Sequence, residues 1–157
     1  ITKELINTKI KIAVDDLKTF FDIKKPSIIV TGLNPHAGEN GDLGDEEIKV
    51  IKPAIDELKK LTNISITGPI SADIAFSPSK RCNYDLAVCM YHDQALIPIK
   101  TLDFYNGVNV TLGLDFIRTS PDHGTAFDIA GKNLANPESL ISAINLAYEM
   151  GTNKNNV

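Results

Sequence analysis

The run Asp85-Leu86-Ala87-Val88-Cys89-Met90, followed directly by Tyr91-His92-Asp93-Gln94, is the most informative segment of this sequence. Its first six residues are apolar almost throughout, which is typical of a strand buried on both faces of a parallel sheet. The polar tetrapeptide then falls at the carboxyl end of that strand, where open α/β sheets bind their ligands. The segment therefore predicts an α/β fold with a functional site at the end of this strand.

Helical and strand-like patterns alternate on both sides of this segment. Apolar residues at three-and-four spacing predict three helices, over 3–21, from the N-cap Asp45 onward, and over 137–150. Pro53 should kink the second helix, and the polar tail at 153–157 should be frayed. Short apolar runs predict strands at 27–30, at 64–67 up to Gly68-Pro69, and at 108–112. The alternation predicts an α/β fold whose mixed, largely parallel sheet has flanking helices.

Composition excludes several classes of protein. The chain has 157 residues, 43% of them hydrophobic and 23% charged, which is ordinary for a globular domain. Its net charge of −4 argues against a protein that holds nucleic acid by the phosphates. No run of 18 apolar residues and no secretory signal pattern occur, so we expect a cytoplasmic protein without a membrane span. Because the chain begins at Ile1 rather than Met, we expect a processed or truncated product.

Three histidines, His36, His92 and His123, are each predicted in a loop at a strand end. Neutral imidazole is the commonest side-chain ligand for zinc-like ions, so two histidines from neighbouring strand ends could share one metal. The alternative is that each histidine merely caps its loop. The glycines and prolines around each one favour a ligand site, because such loops let backbone approach a ligand closely.

A second group of candidates is cationic and polar. Lys100, Asn109 and Arg118 follow His92, and a guanidinium with a lysine ammonium suits a carboxylate or a phosphate. The alternative is a surface lysine and a structural arginine. Neither a Walker A nor a G-x-G-x-x-G fingerprint occurs, so a nucleotide would need a different loop. The acidic run Asp42, Asp45, Glu46 and Glu47 predicts a solvated helix start rather than a metal site.

Four long motifs resemble the 4-hydroxythreonine-4-phosphate dehydrogenase family of pyridoxal phosphate biosynthesis. They are Gly32-Leu33-Asn34-Pro35-His36-Ala37-Gly38-Glu39, Tyr91-His92-Asp93-Gln94, Asn109-Val110-Thr111-Leu112-Gly113-Leu114, and the stretch from Ile117-Arg118-Thr119-Ser120-Pro121-Asp122-His123-Gly124 to Ala130-Gly131. The likeness covers essentially the whole chain, in the family's order and spacing. It implies that this chain is the C-terminal half of an enzyme about twice as long. The loop from His123 to Gly131 also resembles the nucleotide loop of isocitrate and isopropylmalate dehydrogenases, which implies that fold.

The resemblance implies specific roles for residues of this chain. His36 and His92 would hold a divalent metal, zinc, magnesium or cobalt, with a third histidine from the missing N-terminal half. Lys100, Asn109 and Arg118 would bind the substrate, and the expected catalytic residues are Lys100 and Asp93, the latter orienting His92 or lying near the metal. NAD or NADP would contact His123, Gly124, Thr125, Asp128 and Asn136.

The function implied by the resemblance is metal-dependent, NAD(P)-linked oxidation and decarboxylation of 4-hydroxythreonine 4-phosphate. The expected partners are this small phosphorylated substrate, the N-terminal half of the same protein, and a second copy in a homodimer with a shared active site. Residues 1–99 would belong to the dimerisation and metal-binding domain, and 100–157 to the nucleotide-binding domain of a two-domain fold. The alternatives are a paralogue acting on another phosphorylated hydroxy acid, and a non-catalytic module that binds a metal or a nucleotide. The isolated chain is expected to be inactive.

Overall fold

The computed structural model describes residues 1–61 and 64–155. Its helices are α1 (Lys3–Phe20), α2 (Lys52–Leu61), α3 (Ala72–Ala75), α4 (Pro78–Arg81), α5 (His92–Leu102) and α6 (Glu138–Asn155). Its strands are β1 (Ser27–Thr31), β2 (Ser65–Ile70), β3 (Leu86–Val88), β4 (Val108–Val110) and β5 (Thr119–Pro121). A π-helical turn at Glu47–Ile51 leads into α2, and a 3-10 turn lies at Phe127–Ile129.

A three-stranded parallel sheet in the order β2-β1-β3 organises the first two thirds of the chain. The predicted parallel sheet with flanking helices is therefore confirmed. The main hydrophobic core lies between this sheet and the helices α1 and α2, whose apolar stripes face it. Its buried side chains are Ile6, Ile10, Val14, Ile28, Val30, Ile51, Ala54, Ile55, Leu58 and Ile66. The sheet thereby holds the carboxyl ends of β1 and β3 side by side.

The position of β3 at the sheet edge corrects one prediction. Its residues Leu86, Ala87 and Val88 are only half-buried, whereas the apolar run predicts burial on both faces. The central strand β1 is the one that is buried, with Ile28 and Val30 almost inaccessible to solvent. The apolar run therefore predicts the strand correctly, but it does not distinguish an edge strand of the sheet from a central strand.

Pro53 interrupts its helix as predicted, and it does so through a π-helical turn. The N–H of Lys52 donates to the Glu47 carbonyl, five residues back, instead of the usual four. A proline ring would clash with the carbonyl four residues before it in a regular helix, and a wider turn relieves that clash. The turn also brings Glu47 inside the protein, which matters for the site below.

Three further elements differ from the predictions. The segment after β3 is the helix α5 rather than a loop, and its internal Pro98 and continuous apolar run hide the helical period. Strand β2 continues past Thr67 through Gly68 and Pro69 to Ile70. Helix α6 runs to Asn155 instead of fraying from Asn153, because the Asn153 side chain donates to the Phe20 carbonyl at 2.9 Å. The last two residues of the predicted tail lie outside the described part.

The strands β4 and β5 form a separate antiparallel pair against α6. The Thr119 hydroxyl donates to the Ala143 carbonyl at 2.9 Å, and the Ser139 hydroxyl donates to the Gly107 carbonyl at 2.7 Å. These bonds join the pair to α6 on both sides. Within the described ranges, none of the helices combines the length and the apolar character that crossing a membrane requires.

Candidate active site

The loop after β1 carries His36 in an unusual backbone conformation. Five consecutive residues, His36 to Asn40, have positive φ angles between 41° and 81°, and only Gly38 among them is a glycine. A left-handed residue with a side chain costs about 1–2 kcal/mol. Such a run persists only where surrounding structure determines it, and strained backbone of this kind clusters at functional sites.

Glu47 supplies the restraint on this loop. Its carboxylate is 3% exposed and accepts hydrogen bonds from the Leu33 N–H at 2.7 Å, the Asn34 N–H at 2.8 Å and the Asn34 side-chain amide at 2.9 Å. Burial alone would raise the pKa of this carboxyl, but the hydrogen bonds from Asn34 and Leu33 outweigh it and leave the pKa lowered. The prediction that Glu47 belongs to a solvated helix start is therefore wrong.

The glycine at position 38 fits the Glu47 carboxylate closely. A methyl group placed on Gly38 would lie 2.7 Å from Glu47 Oε2 and 2.9 Å from the Gly44 carbonyl oxygen. Its φ of +81° also belongs to the left-handed region. Both observations show that the loop closes tightly around a buried anion.

His36 itself is exposed at the outside of this loop. Its Nδ1 forms a short hydrogen bond with Glu39 Oε1, and this bond raises the pKa of the imidazole, with a smaller contribution from the charge of Asp73. His36 and Asp73 line one cavity of about 290 Å³ together with Tyr91 and Gln94. Tyr91, the residue directly before His92, therefore lines the same cavity as His36.

His92 is the first residue of α5 rather than part of a loop. Its Nδ1 lies 2.8 Å from Asp93 Oδ1, and the ring is largely exposed. The contact agrees with the expected orienting role of Asp93. With Nδ1 engaged by a carboxylate, Nε2 is the nitrogen left to face a ligand.

The donor chemistry of His36 and His92 fits a divalent metal. In both residues a carboxylate engages Nδ1, which is the arrangement that orients metal-ligating histidines in proteins and raises their basicity. Across residues 1–61 and 64–155, no three His, Cys, Asp or Glu side chains form a group able to hold a metal. The described residues therefore offer two candidate imidazole ligands, His36 and His92, which line different cavities.

A second cavity, of about 410 Å³, brings together five of the predicted residues, one of which is Gly124. His92, Lys100, Asn109 and His123 all line it. Lys100 Nζ lies 3.0 Å from Asp122 Oδ2, also bonds the Asp122 carbonyl, and stands 5.1 Å from the centre of the Phe104 ring. The helix α5 and the β4-β5 pair thus place a metal-ligand candidate, an ammonium and an amide around one space.

Arg118 stands apart from this group. Its guanidinium donates to the Thr111 hydroxyl at 2.7 Å, and Arg118 is not among the described residues that line the cavity. Phe116, two positions earlier, is 63% exposed. The structure gives Arg118 a local partner and does not bring it to Lys100.

Some of the residues predicted to contact a nucleotide line a third, smaller cavity, and others do not. His123 and Asn136 line a cavity of about 170 Å³ with Phe104 and Tyr105. Asn136 also has a structural task, because its Oδ1 accepts the Glu138 N–H at 2.8 Å at the start of α6. The described lining of this cavity does not include Thr125 or Asp128.

Sequence reasoning missed three residues that shape the site: Glu47, Asp73 and Gln94. Gln94 lies in the quoted motif after His92, yet nothing in its spacing distinguishes a buried amide from an exposed one. Glu47 was assigned to the surface by its acidic neighbours. Asp73 lies in the short helix α3, too short for a periodic signal.

Comparisons with known proteins find a family model and several relatives that match this chain. The family model described as pyridoxal phosphate biosynthetic protein PdxA matches residues 1–147. The 4-hydroxythreonine-4-phosphate dehydrogenase of Bradyrhizobium diazoefficiens is 57% identical over 154 residues, which are 98% of this chain and 44% of that protein.

Solved structures give the same result at the level of the fold. The 4-hydroxythreonine-4-phosphate dehydrogenase of Klebsiella pneumoniae matches with a TM-score of 0.84 and 46% identity, over 96% of this chain and 45% of that one. A terephthalate 1,2-cis-dihydrodiol dehydrogenase of Burkholderia xenovorans matches with a TM-score of 0.73 and 32% identity, over 96% of this chain and 47% of that one.

The chain therefore spans somewhat less than half the length of these relatives. Those shares agree with the predicted partial chain, but the comparisons do not support the predicted placement in the C-terminal half. The match of the family model over 147 of 157 residues, with the relatives' identities and the common fold, decides the assignment. The chain belongs to the PdxA family of pyridoxal phosphate biosynthetic proteins.

Proposed function

We propose that the protein containing this chain oxidises and decarboxylates 4-hydroxythreonine 4-phosphate with NAD or NADP in pyridoxal phosphate biosynthesis. The observation that carries the proposal is the cavity shared by His92, Lys100, Asn109 and His123, in a chain 57% identical to a dehydrogenase of that name. The cavity combines an imidazole suited to a metal with a cation suited to an anionic substrate.

Each residue has a defined task in this proposal. Lys100 binds the anionic group of the substrate, and the Asp122 carboxylate holds the ammonium in place until the substrate arrives. Asn109 hydrogen-bonds the substrate across the cavity, and Asp93 keeps the His92 ring oriented through Nδ1. Arg118 is the expected second cation for the substrate, which would require its guanidinium to leave Thr111.

His36 and His92 would hold the divalent metal, whose chemistry is to polarise the substrate hydroxyl and the oxygen that becomes negative on decarboxylation. The nicotinamide would accept the hydride, and His123, Gly124, Thr125, Asp128 and Asn136 are the residues proposed to contact the dinucleotide. The exposed position of the His123 loop leaves room for a ligand of that size.

We also propose the domain division predicted from the sequence. Residues 1–99 would belong to the metal-binding and dimerisation domain, and 100–157 to the nucleotide-binding domain of a fold like that of isocitrate dehydrogenase. The boundary would then fall within α5, so that one rigid helix carries His92 at its start and Lys100 near its end. A homodimer with a shared site would supply the metal ligands that this chain does not.

A second candidate is the same chemistry on a different hydroxylated substrate. The likeness to a terephthalate 1,2-cis-dihydrodiol dehydrogenase, at 32% identity, supports it, because that protein is named for a substrate without phosphate. The greater identity to the 4-hydroxythreonine-4-phosphate dehydrogenases favours the first candidate.

The test is a steady-state assay of the full-length protein with each substrate class, NAD or NADP, and Zn²⁺, Mg²⁺ or Co²⁺. We expect reduction of the nicotinamide with 4-hydroxythreonine 4-phosphate, and a large rise in KM for Lys100→Met. Lys132→Met, at an exposed lysine outside both cavities, is the matched control and should behave as the wild type. Turnover of a cis-dihydrodiol alone would favour the second candidate, and turnover of neither would contradict both.

A further inference from the structure

We propose that Gln94 is a positioning residue that fixes the His36 loop, residues 32–44, against the start of α5. It thereby sets the placement of the His36 imidazole relative to the His92 imidazole. The inference rests on the proposed function in one respect, namely that these two histidines bind one divalent metal. Nothing in the sequence motif assigns a task to this amide.

The hydrogen bonds of the Gln94 side chain are the main support. Its Oε1 accepts from the Met90 N–H at 2.8 Å and from the Thr31 hydroxyl at 2.8 Å, and its Nε2 donates to the Gly32 carbonyl at 2.8 Å. The side chain is 9% exposed. A buried amide with three partners is held in one rotamer, because each lost bond would leave a buried polar group without a partner.

The orientation of the amide is fixed by its partners. The Met90 N–H can only donate and the Gly32 carbonyl can only accept, so oxygen must face Met90 and nitrogen must face Gly32. No other side chain of the same shape satisfies both. A glutamate would place a carboxylate oxygen against the Gly32 carbonyl, and a methionine would satisfy neither partner.

The partners lie at the two places that carry the metal-ligand candidates. Thr31 and Gly32 are the end of β1 and the beginning of the His36 loop, whereas Met90 follows β3 and comes two residues before His92. One planar amide therefore ties the two strand ends together. Gln94 also lines the cavity that contains His36.

Glu47 and Gln94 divide the task of holding the loop. Glu47 organises the loop internally through Leu33 and Asn34, on the side of the π-helical turn. Gln94 bonds the loop to the element that carries His92. Loss of Gln94 would leave the loop folded but would free it to shift relative to α5.

The experiment compares Gln94→Met, Gln94→Glu and a matched control, Ile55→Ala, in the full-length protein. Ile55 lies on α2 in the buried core and is not among the described residues that line either cavity containing a metal-ligand candidate, so its truncation serves as a control for lost stability alone. The measurements are Co²⁺ affinity by absorption titration, amide hydrogen exchange of residues 32–44, thermal unfolding, and kcat and KM.

We expect both Gln94 variants to bind Co²⁺ about 10- to 100-fold more weakly, the usual range for residues that orient metal ligands. Exchange at residues 32–44 should quicken, and kcat should fall more than KM rises. Ile55→Ala should lower the melting temperature while the Co²⁺ affinity stays within about twofold of the wild type, well below the roughly 10- to 100-fold change expected of the Gln94 variants.

Gln94 variants that are destabilised like Ile55→Ala but keep their Co²⁺ affinity and exchange rates would overturn the inference. A wild-type protein that binds no Co²⁺ would overturn it as well. A wild-type protein that binds Co²⁺ without turning over either substrate would contradict the proposed function alone, since the Gln94 comparison would still decide the positioning role.

Discussion

The His36 loop, residues 32–44, and the His123 loop, residues 121–131, carry comparable candidate residues but are built in opposite ways. The His36 loop contains five left-handed residues and closes around the buried Glu47 carboxylate. In the His123 loop, His123 bonds the carbonyl of its neighbour Gly124, and Phe127 is 82% exposed. The first loop is held by Glu47 and Gln94 from other elements. The second is attached to α5 and α6 through Asp122 at its start, and beyond that point its hydrogen bonds lie mainly within the loop.

This difference corresponds to two requirements of the proposed dehydrogenase site. A metal ligand must be placed before the metal binds, because ligand geometry sets affinity, and a rigid support meets that need. A loop that contacts a large ligand must admit it, and open loops with few buried contacts do so more readily. The comparison therefore assigns preorganisation to the His36 side and adaptability to the His123 side.

Among the variants that test this difference between the two loops, Gly38→Ala should lower the free energy of unfolding the most. The methyl group would meet Glu47 Oε2 at 2.7 Å and the Gly44 carbonyl at 2.9 Å, at a φ of +81°. The left-handed cost and the overpacking together predict a loss of about 2–5 kcal/mol in the free energy of unfolding. Chemical denaturation measures it, and a loss below that of Gly131→Ala would show that the loop is not tightly packed.

Glu47→Gln should have the next largest effect. An amide oxygen at the Oε1 position can still accept from the Leu33 and Asn34 N–H groups, but its NH2 would then face the Asn34 side-chain amide, donor against donor. This mismatch and the loss of charged hydrogen bonds predict a loss of about 1.5–3 kcal/mol. Glu46→Gln is the control, since Glu46 bonds the Asn34 side chain from a more exposed position. Equal losses for the two variants would contradict the special position of Glu47.

The same carboxyl predicts a pH dependence of stability. Because the pKa of folded Glu47 lies below its ordinary value of 4.5, the stabilisation is complete above that value and is lost as the pH falls through the lower, folded pKa. Unfolding measured from about pH 7 to about pH 3 should show this loss in the wild type and a shallower one in Glu47→Gln. Identical slopes would exclude Glu47 as a source of the acid sensitivity.

Gly131→Ala should cost less than Gly38→Ala despite a similar backbone angle. Its φ is +74°, but a methyl group there would have no atom within 4 Å. Only the left-handed cost of about 1–2 kcal/mol remains. The same denaturation series measures it, and the difference between the two glycine variants isolates the contribution of packing in the His36 loop.

The smallest effect should come from Phe127→Ser. The ring is 82% exposed, and substitutions at such positions usually change stability by less than about 0.5 kcal/mol. A loss above about 1 kcal/mol, which is large for a surface position, would show that the His123 loop is packed in solution and would weaken the contrast between the two loops.

The sequence predicted the parts of this protein that depend on repeated local patterns. The stripe that begins at Ile6 and Ile10 identified α1, and the apolar run at Ile28 identified β1. The helix α5 was missed because Pro98 and a continuous apolar run obscure its period. Glu47 was misplaced because its burial depends on a π-helical turn, and neighbouring charges contain no information about that turn.

Several residues that line the candidate site were named from the sequence, but their grouping around one cavity was not. His92, Lys100, Asn109 and His123 line one cavity, because α5 and the β4-β5 pair face each other across it. Arg118 and Thr111 bond each other instead, which only the antiparallel register of β4 and β5 determines. The roles of all these residues stay predictions until the variants are measured.

The pairing of Lys100 with Asp122 makes ligand binding at this cavity an exchange rather than an addition. A ligand with a single negative charge would replace the Asp122 carboxylate at the Lys100 ammonium, so the Coulomb energy of the ammonium would change little. A doubly charged phosphate would gain more, because it brings a second charge to the same ammonium. On the proposed function, the Asp122 carboxylate would compete with the ligand's anionic group for the Lys100 ammonium. Asp122→Asn should then narrow the difference in affinity between dianionic and monoanionic ligands.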